Sequence, residues 1–371
     1  MKSIIKMMLQ IIRRLDYIIL YKFYCLKYKE NNNMVLFLSD SRESLTGNFY
    51  YIHEAIKNDY FIKTHFYKNT KMKHDKKSIC RDMAMSKFIL VDDFYPLIYP
   101  IPLRKTTKLI QVWHALGAFK TVGYARKGNN DKFSMTHRNY TDAIVSSEDI
   151  RIDYAKAFRM NIDRIHSIGI PRTDVFFNES YKQQIKERLY NEYPILKNKK
   201  VILFAPTFRG NNIHNAYYDY DKISFDSMRK DLKDDFVCIF KMHPFVKNKP
   251  KEILESDFYL DLSDVREIND LLFITDILIT DYSSVIFEAA LLNIKTIFFA
   301  YDLNDYISKR DFFYPYETYT YGPVVKNEDE LLEAIHNIDI DNIKLEQFKT
   351  RFISSCDGSS TERFVNILLK E

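Results

Sequence analysis

One short stretch, residues 277–292, constrains the fold of this chain more than any other part of the sequence. Ile277 to Thr280 is an apolar run typical of a buried strand, Asp281 to Ser284 is a small polar turn, and Val285 to Leu292 has the pattern of a helix. A second apolar run, Thr296 to Ala300, follows and completes a βαβ unit. Because such units build parallel sheets, the sequence predicts an α/β protein.

The polar turn also predicts a place for an anion. The amides and hydroxyls of Ser283 and Ser284 would lie at the start of the helix, where the helix dipole favours negative charge. Glu288 follows one turn further on, where its carboxylate could accept hydrogen bonds from the hydroxyls of a ribose. An ordinary helix N-cap explains the same residue types, since Ser and Asp are common capping residues, and both interpretations stay open.

The length, net charge and cysteine content of the chain limit the kinds of protein that it can be. A chain of 371 residues exceeds a usual single domain, so two domains are expected. The net charge of +5 fits an anionic nucleotide, an anionic polymer or a membrane surface without choosing among them. The four cysteines are far apart and form no CxxC pair, so neither a zinc site nor a disulfide framework is indicated, and a reducing cytoplasm is predicted.

Residues 1–30 differ from the rest, because seven basic residues alternate there with aliphatic ones. No run of about 18 apolar residues and no small-residue cleavage site occurs in this stretch, so neither a spanning helix nor a secretory signal is expected. The pattern predicts a basic amphipathic helix that could lie on an anionic membrane surface. Packing of this helix on the protein itself is the alternative. Asn31 to Asn33 would be a short hinge after it.

Two alternating runs of strands and helices follow. We expect an N-terminal Rossmann-like domain at 31–185, a polar helical connector, a C-terminal Rossmann-like domain at 196–350 and a helical segment at 351–371. Two such domains facing each other across a cleft form the GT-B arrangement, with ligands at the carboxyl ends of the strands.

Two histidines and one arginine stand where those strands are expected to end. His114 follows the strand pattern 108–113, and His243 follows the apolar run 236–240 closely and precedes Pro244. A histidine with a pKa near neutrality suits proton transfer, and Arg209 after Phe204-Ala-Pro-Thr-Phe could form a fork to a phosphate. Structural histidines bonded to nearby carbonyls, and a solvated arginine, are the alternatives.

Several motifs occur together and in order over roughly residues 34–340. They are Gln111-Val-Trp-His-Ala-Leu-Gly-Ala-Phe-Lys120, Ile168-Gly-Ile-Pro-Arg-Thr-Asp174, Phe204-Ala-Pro-Thr-Phe-Arg209, Lys241-Met-His-Pro-Phe245 and the stretch 277–292. Together they resemble the CDP-glycerol glycerophosphotransferase family, the teichoic-acid and capsule polyol-phosphate transferases. The resemblance implies transfer of glycerol phosphate or ribitol phosphate from CDP-glycerol or CDP-ribitol to a hydroxyl of a lipid-linked or polymeric acceptor, with release of CMP. It also implies a peripheral protein on the cytoplasmic face of the membrane.

The resemblance also assigns roles to residues. His114 would be the general base, and His243 would stabilise the donor phosphates or the departing CMP. The donor-binding residues would be Arg209, Thr280, Ser283, Ser284 and Glu288. Weaker candidates for the phosphates of the acceptor or the donor are Lys120, Arg172 and Arg310. No nucleic-acid partner and no tightly bound metal are predicted, although Mg²⁺ could accompany the donor diphosphate.

One departure from the family pattern bears on the donor. Many glycerol-phosphate members have Trp-His-Gly-Thr where this chain has Trp113-His-Ala-Leu-Gly-Ala118, a variant more similar to some ribitol-phosphate members. The polyol, and whether the enzyme primes or polymerises, stay open. The rival hypotheses are a GT-B glycosyltransferase that releases UDP or GDP from a nucleotide sugar, and a non-catalytic membrane-associated scaffold.

Overall fold

The computed structural model describes residues 5, 8–9, 11–67, 75–128, 135–210, 214–243, 245–247, 249–254, 256–265 and 267–370. Pro244 and residues 1–4, 6–7 and 10 of the predicted N-terminal helix therefore lie outside the described residues. The chain forms two compact units, Met1–Asp174 with Arg351–Glu371, and Val175–Thr350.

The first unit contains a six-stranded parallel sheet with the order β2-β1-β3-β4-β5-β6. Its strands are β1 Asn31–Ser39, β2 Phe61–Phe66, β3 Ser86–Val91, β4 Lys108–Gln111, β5 Asp142–Ile144 and β6 Ile165–His166. Strand β3 is buried from Phe88 to Val91 without alternation, as expected for a parallel strand covered on both faces.

The second unit contains another six-stranded parallel sheet, with the order β12-β11-β10-β7-β8-β9. Its strands are β7 Lys200–Phe204, β8 Phe236–Phe240, β9 Tyr259–Asp261, β10 Ile277–Thr280, β11 Lys295–Phe299 and β12 Val324–Val325. Two units with parallel sheets confirm the predicted α/β class.

Helices connect the strands in both units. They are α1 Leu15–Lys27, α2 Asn48–Ile56, α3 Lys76–Met85, α4 Arg151–Phe158, α5 Glu179–Glu192, α6 Phe225–Leu232, α7 Lys251–Leu254, α8 Ile268–Leu272, α9 Val285–Leu291, α10 Leu303–Lys309, α11 Glu328–Asn337, α12 Asn342–Ile353 and α13 Ser360–Phe364. The last helix continues as a π-helical turn at Val365–Leu369. None of the helices in the described ranges is long and apolar enough to cross a membrane.

The division between the units falls at residue 174, ahead of the predicted connector. Helix α5 groups with the second unit because Tyr181 and Arg188 both bond the Asp270 carboxylate, at 3.1 and 2.6 Å. The segment 351–371 groups with the first unit, where the Asp174 carboxylate accepts hydrogen bonds from the amides of Ser360 and Thr361 at 3.0 and 2.8 Å.

Helix α1 has two apolar faces. Tyr17 and Tyr21 are buried against the first unit, and the Tyr21 hydroxyl accepts a hydrogen bond from the Arg104 amide at 2.9 Å. The opposite side exposes an aliphatic and aromatic row with helical spacing, made of Leu15, Ile19, Phe23 and Leu26. The helix therefore packs on the protein and still presents apolar side chains to solvent.

Candidate functional site

Both sheets place polar loops at a topological switch point, where the strand order reverses and ligands of open α/β sheets usually bind. In the first unit this point lies between β1 and β3, and in the second between β7 and β10. An ion pair joins Arg42, from the loop after β1, to Asp92 after β3. Because Arg42 fixes Asp92, it also fixes the main chain beside His114.

His114 lies just beyond the carboxyl end of β4, with its side chain 44% exposed. Its Nδ1 lies 3.3 Å from the Asp92 carbonyl oxygen and 3.8 Å from Asp93 Oδ2. A carbonyl oxygen only accepts hydrogen bonds, so Nδ1 carries the proton of the neutral ring. Nε2 is then the basic nitrogen, and within the described ranges no residue bonds to it. This is the tautomer that a general base requires.

The chain before His114 is held in a strained conformation. Trp113 has φ +49°, in the left-handed region that bulky residues rarely adopt. Buried Asn48 donates through Nδ2 to the carbonyl oxygens of Val112 and Trp113 at 3.0 and 2.9 Å. Gln111 Oε1 accepts from the Trp113 amide at 2.9 Å. Neutral amide groups therefore impose the backbone turn that directs His114 outward.

The loop after His114 is tied to the C-terminal segment. The Ser146 hydroxyl accepts from the Gly117 amide at 2.9 Å and donates to the Phe352 carbonyl at 2.6 Å. Tyr154 OH donates to the Gly117 carbonyl at 2.9 Å. Segment 351–371 therefore supports the histidine loop of its own unit.

Two of the predicted acceptor residues lie in the first unit. The Arg172 amide donates to Asn48 Oδ1 at 3.1 Å, so Asn48 links Arg172 directly to the strand end of His114. Lys120 is half-buried six residues after His114. The third, Arg310, is exposed in the second unit, where its guanidinium donates to the Gly210 carbonyl at 3.3 Å.

His243 follows β8 in the second unit and is exposed. Its Nδ1 accepts a hydrogen bond from the Phe245 amide at 3.2 Å, so the proton of the neutral ring lies on Nε2. The ring lies 4.7 Å from the Phe208 ring and 4.4 Å from the Phe245 ring, centroid to centroid. The two motif histidines therefore hold opposite tautomers, an acceptor Nε2 in His114 and a donor Nε2 in His243.

The strand end before His243 is fixed by the loop after β9. Ser263 accepts from the Met242 amide through its hydroxyl at 3.1 Å, and its carbonyl accepts from Lys241 Nζ at 2.8 Å. Burial lowers the pKa of the Lys241 ammonium. Lys241 thus supports the loop, in addition to any role toward a ligand.

The predicted anion turn is only partly available to a ligand. Ser283 and Ser284 are partly exposed, and the Ser284 hydroxyl makes no capping hydrogen bond to helix α9. Thr280 is buried and donates its hydroxyl to the Ala205 carbonyl at 2.8 Å, which clamps β10 to the chain after β7. Glu288 is buried as well, at 4% exposure. Both side chains are thus buried, and their predicted contact with a donor stays a prediction.

Arg209 is held by two carboxylates. Its guanidinium forms a two-bond fork with Asp302, Nε to Oδ2 at 2.6 Å and Nη2 to Oδ1 at 2.8 Å, and pairs with Asp281 Oδ2 at 3.0 Å. A third partner is the Thr207 carbonyl. Burial alone would lower the pKa of this guanidinium, but the Asp281 charge and the Asp302 hydrogen bonds raise it above its usual value. The guanidinium fork therefore binds carboxylates of its own unit, and contact of Arg209 with a donor phosphate stays a prediction.

A tyrosine shell surrounds this ion network. The Arg209 guanidinium carbon lies 5.1 to 5.6 Å from the ring centroids of Tyr218, Tyr282, Tyr301 and Tyr306. Tyr282 OH donates to Asp302 Oδ1 at 3.0 Å, and the Asp281 carboxylate accepts from the Thr207 amide at 2.7 Å. The network locks the loops after β7, β10 and β11 to one another.

Sequence reasoning missed the supporting residues. Asn48, Gln111 and Asp302 were given no role, although Gln111 begins the first motif and is an amide inside an apolar strand. Asp93 follows a strand by two residues, but nothing in the sequence shows that its carboxylate lies near His114. No cluster of three His, Cys, Asp or Glu side chains able to hold a metal ion occurs among the described residues.

Comparison with solved structures defines the class. The chain matches the structure described as the wall teichoic acid polymerase TagF with a TM-score of 0.77, over 99% of this chain and 97% of that one, at 22% identity. A UDP-GlcNAc 2-epimerase from Neisseria meningitidis matches with a TM-score of 0.55 at 14% identity. The fold is therefore of the GT-B class.

The sequence places the chain within that class. The profile described as CDP-Glycerol:Poly(glycerophosphate) glycerophosphotransferase matches residues 19–370, and the chain belongs to this family, as the motifs predicted.

Two similar curated proteins are polymerases by name. A teichoic acid poly(ribitol-phosphate) polymerase of Bacillus spizizenii is 46% identical over 346 residues, 90% of this chain and 56% of the relative. The ribitol-phosphate polymerase TarK of Staphylococcus aureus is 44% identical over 92% of this chain and 69% of the relative. A third, a teichoic acid ribitol-phosphate primase of B. spizizenii, is 34% identical over 94% of both chains. The chain thus spans little more than half the length of the first of these relatives.

Proposed function

We propose that this chain transfers ribitol phosphate, or glycerol phosphate, from its CDP-activated form to a hydroxyl of a lipid-linked or polymeric acceptor and releases CMP. The family assignment supports a CDP-polyol donor. The identities of the relatives favour ribitol as the polyol of the donor. Three proteins named as ribitol-phosphate polymerases are 44 to 46% identical to this chain, whereas those named as glycerol-phosphate primases are 27 to 31% identical to it. We therefore place CDP-ribitol first.

The observation that carries the proposal is the pair of opposite histidine tautomers at two strand ends. Phosphoryl transfer needs one group that accepts the hydroxyl proton and others that stabilise charge on the phosphates. The hydrogen bond from Nδ1 to Asp92 makes Nε2 of His114 an acceptor, and the hydrogen bond from Phe245 makes Nε2 of His243 a donor. One imidazole is prepared as a base and the other as an electrostatic donor.

The proposed reaction is a displacement at the β-phosphorus of the CDP-polyol. The acceptor oxygen attacks the β-phosphorus of the CDP-polyol, and its proton passes to Nε2 of His114. The bond between the β-phosphorus and the bridging oxygen breaks, and CMP leaves with that oxygen. Asp93, 3.8 Å from Nδ1, would stabilise the resulting imidazolium, while His243 donates to phosphate oxygens. A Mg²⁺ ion carried by the donor would help to neutralise the diphosphate. Measuring the rate of CMP release during a titration with EDTA tests whether turnover requires this ion.

Two serines are the partly exposed members of the predicted donor-binding set. Ser283 and Ser284 keep partly exposed positions at the end of β10 and would bind phosphate oxygens. Arg209 would act through Asp281 and Asp302, by positioning the loops that carry these serines, and would not touch the donor itself.

A donor screen tests the assignment. Purified protein is incubated with CDP-ribitol, CDP-glycerol and common nucleotide sugars in the presence of a polyol-phosphate acceptor, and the released nucleotide is identified. We expect CMP, with CDP-ribitol used fastest. Release of UDP or GDP from a sugar donor would instead establish the glycosyltransferase alternative, and no turnover with any donor would favour a scaffold.

The same assay tests the histidines. His114→Ala and His243→Ala should each lower the rate of CMP release by at least about a hundredfold, the scale of a general acid–base contribution. His166→Ala serves as the control, because His166 bonds Asp142 at 2.8 Å and lies outside the motif. Rates close to wild type in both motif variants would reject the assigned roles.

We also propose that helix α1 contacts an anionic membrane surface. The row Ile19, Phe23 and Leu26 is 53 to 91% exposed, and Lys22 and Lys27 are exposed beside it. Since Tyr17 and Tyr21 of the same helix are core residues, deleting the helix would disturb the fold.

Replacing the three row residues with Gln should weaken binding to phosphatidylglycerol vesicles, whereas Ile343→Gln, at an equally exposed site in the second unit, should not. Equal binding by both variants would contradict the proposed contact between helix α1 and the membrane surface.

A further inference from the structure

A cavity of about 230 Å³ lies beside the N-terminal end of helix α1 and was not indicated by any motif. Two consecutive cations, Arg13 and Arg14, form one side. Phe94 and Tyr99 supply an aromatic wall, and Thr136 adds a hydroxyl. All of these residues belong to the first unit.

The charge of this cavity is not neutralised by the protein. Across the described part of the chain, no carboxylate lies within ion-pair distance of Arg13 or Arg14. The nearby Asp16 pairs instead with Lys76. Two arginines that line one cavity without acidic partners favour an anionic ligand, and guanidinium geometry suits the paired oxygens of a phosphate.

Its volume restricts which anion fits. About 230 Å³ is below the usual range of pockets for drug-sized ligands, roughly 300–1,000 Å³. A CDP-polyol would not be enclosed, whereas one or two phosphate groups would. The cavity therefore suits a phosphate or diphosphate head and not the nucleotide donor.

The cavity lies next to the proposed base. Phe94 directly follows Asp93, and its amide donates to Asp93 Oδ1 at 2.6 Å. The other oxygen of the same carboxylate lies 3.8 Å from His114 Nδ1. One lining residue of the cavity, Phe94, is therefore bonded to the carboxylate that lies beside His114.

The cavity also adjoins the exposed apolar side of the N-terminal region. Ile12 is 63% exposed and immediately precedes Arg13, and Leu15 is 48% exposed and immediately follows Arg14. A ligand that combines a phosphate with a hydrocarbon chain could place the phosphate between the arginines and the chain along these side chains.

We propose that Arg13 and Arg14, with Phe94, Tyr99 and Thr136, form a binding site for a lipid-borne phosphate or diphosphate, the anchor of the acceptor. The inference rests on the proposed transfer to a lipid-linked acceptor and extends it by assigning the residues that hold the lipid phosphate. These are not the residues that sequence motifs suggested for the acceptor, Lys120, Arg172 and Arg310.

Vesicle binding tests the site without any turnover. The intact chain, the variant R13Q/R14Q and the matched variant K22Q/K27Q are compared on phosphatidylcholine vesicles that contain a few mole per cent of a polyprenyl diphosphate. Lys22 and Lys27 are exposed on helix α1 and do not line the cavity, so both variants lose the same charge. We expect R13Q/R14Q to bind at least about tenfold more weakly than wild type. K22Q/K27Q should weaken binding by no more than about twofold, because its two cations act only through the small surface potential of these vesicles.

A second pair of measurements distinguishes an acceptor lipid from bulk anionic lipid. On phosphatidylglycerol vesicles both variants should weaken to a similar extent, since there each cation contributes only through the surface potential. Inorganic pyrophosphate should compete with the polyprenyl diphosphate vesicles and leave binding to phosphatidylglycerol unchanged.

Equal weakening of both variants on polyprenyl diphosphate vesicles, or wild-type binding by R13Q/R14Q, would overturn the proposal. The melting temperature of each variant is measured alongside, and neither should change, because none of the four cations forms an ion pair in the described structure. If wild type releases no CMP from any donor but R13Q/R14Q still loses diphosphate binding, the transferase assignment fails and the lipid site stands.

Discussion

The two units hold their strand-end loops by different chemistry. In the first unit, the His114 loop is fixed by neutral groups: the amides of Asn48 and Gln111 and the hydroxyl of Ser146. In the second unit, the loops after β7, β10 and β11 are fixed by the buried ion network of Arg209, Asp281 and Asp302. Losing one hydrogen bond of a neutral network lowers the free energy of unfolding modestly. Leaving a buried charge without its partner lowers it far more.

The largest expected effect comes from breaking the charged network. Arg209→Met leaves Asp281, which is 0% exposed, without its cation, and should lower the free energy of unfolding by about 3–5 kcal/mol. Urea-induced unfolding monitored by circular dichroism measures the loss. Arg310→Met is the control: this arginine is exposed, and its replacement should cost less than about 0.5 kcal/mol. A loss under about 1 kcal/mol for Arg209→Met would mean that the carboxylates are solvated or protonated.

Arg209 also shows where sequence reasoning ends. Arg209 lies in the loop after β7, and its partners Asp281 and Asp302 are distant in the chain, Asp302 by 93 residues. An arginine at a strand end is compatible with a phosphate ligand or with a carboxylate partner, and only the fold decides between them. The same holds for Thr280, whose partner, the Ala205 carbonyl, lies just after a different strand, β7.

The bounds of a strand were predictable where all of its residues are buried. Strands β8 and β10 have the predicted bounds, Phe236–Phe240 and Ile277–Thr280, because each is an uninterrupted apolar run ended by polar residues. The predicted hinge Asn31 to Asn33 was wrong, since these residues begin strand β1. Asn31 pairs with Ser86 of β3, and this tertiary pairing overrides the weak strand propensity of Asn.

An acid titration sharpens the comparison. His137 of the first unit is 5% exposed, and burial, assisted by the Arg126 charge, lowers its pKa from 6.5 to about 4. The unfolded chain therefore binds a proton between pH 6.5 and 4 that the folded chain does not bind. Stability is unaffected above about pH 6.5 and falls as the pH drops toward 4, by up to about 3 kcal/mol. Unfolding followed from pH 7 to 4 measures this slope.

His137→Asn provides the control for the titration. His137 has φ +58°, a conformation that Asn tolerates well, so the backbone should be kept. The variant should lose part of the decline in stability between pH 6.5 and 4, whatever its stability at pH 7. An unchanged slope would assign the acid sensitivity to other groups.

The smallest of these effects tests the neutral network at Asn48. Asn48→Ala removes the donor for the Val112 and Trp113 carbonyls and the acceptor for the Arg172 amide, and should cost about 1–3 kcal/mol. Because the left-handed conformation of Trp113 is itself strained by about 1–3 kcal/mol, it should relax once Asn48 no longer holds it.

Relaxation of Trp113 should also lower the catalytic rate, because the conformation of Trp113 directs His114. We expect Asn48→Ala to lower the rate of CMP release by about tenfold to a hundredfold, and to shift the fluorescence of Trp113, the chain's single tryptophan. Asn178→Ala is the matched control, because Asn178 caps helix α5 of the second unit through a 3.0 Å bond to the Tyr181 amide. It should cost about 1 kcal/mol without changing the rate or the fluorescence. If both variants lose stability and neither loses rate, Asn48 is structural only, and the turn at Trp113 does not position the base.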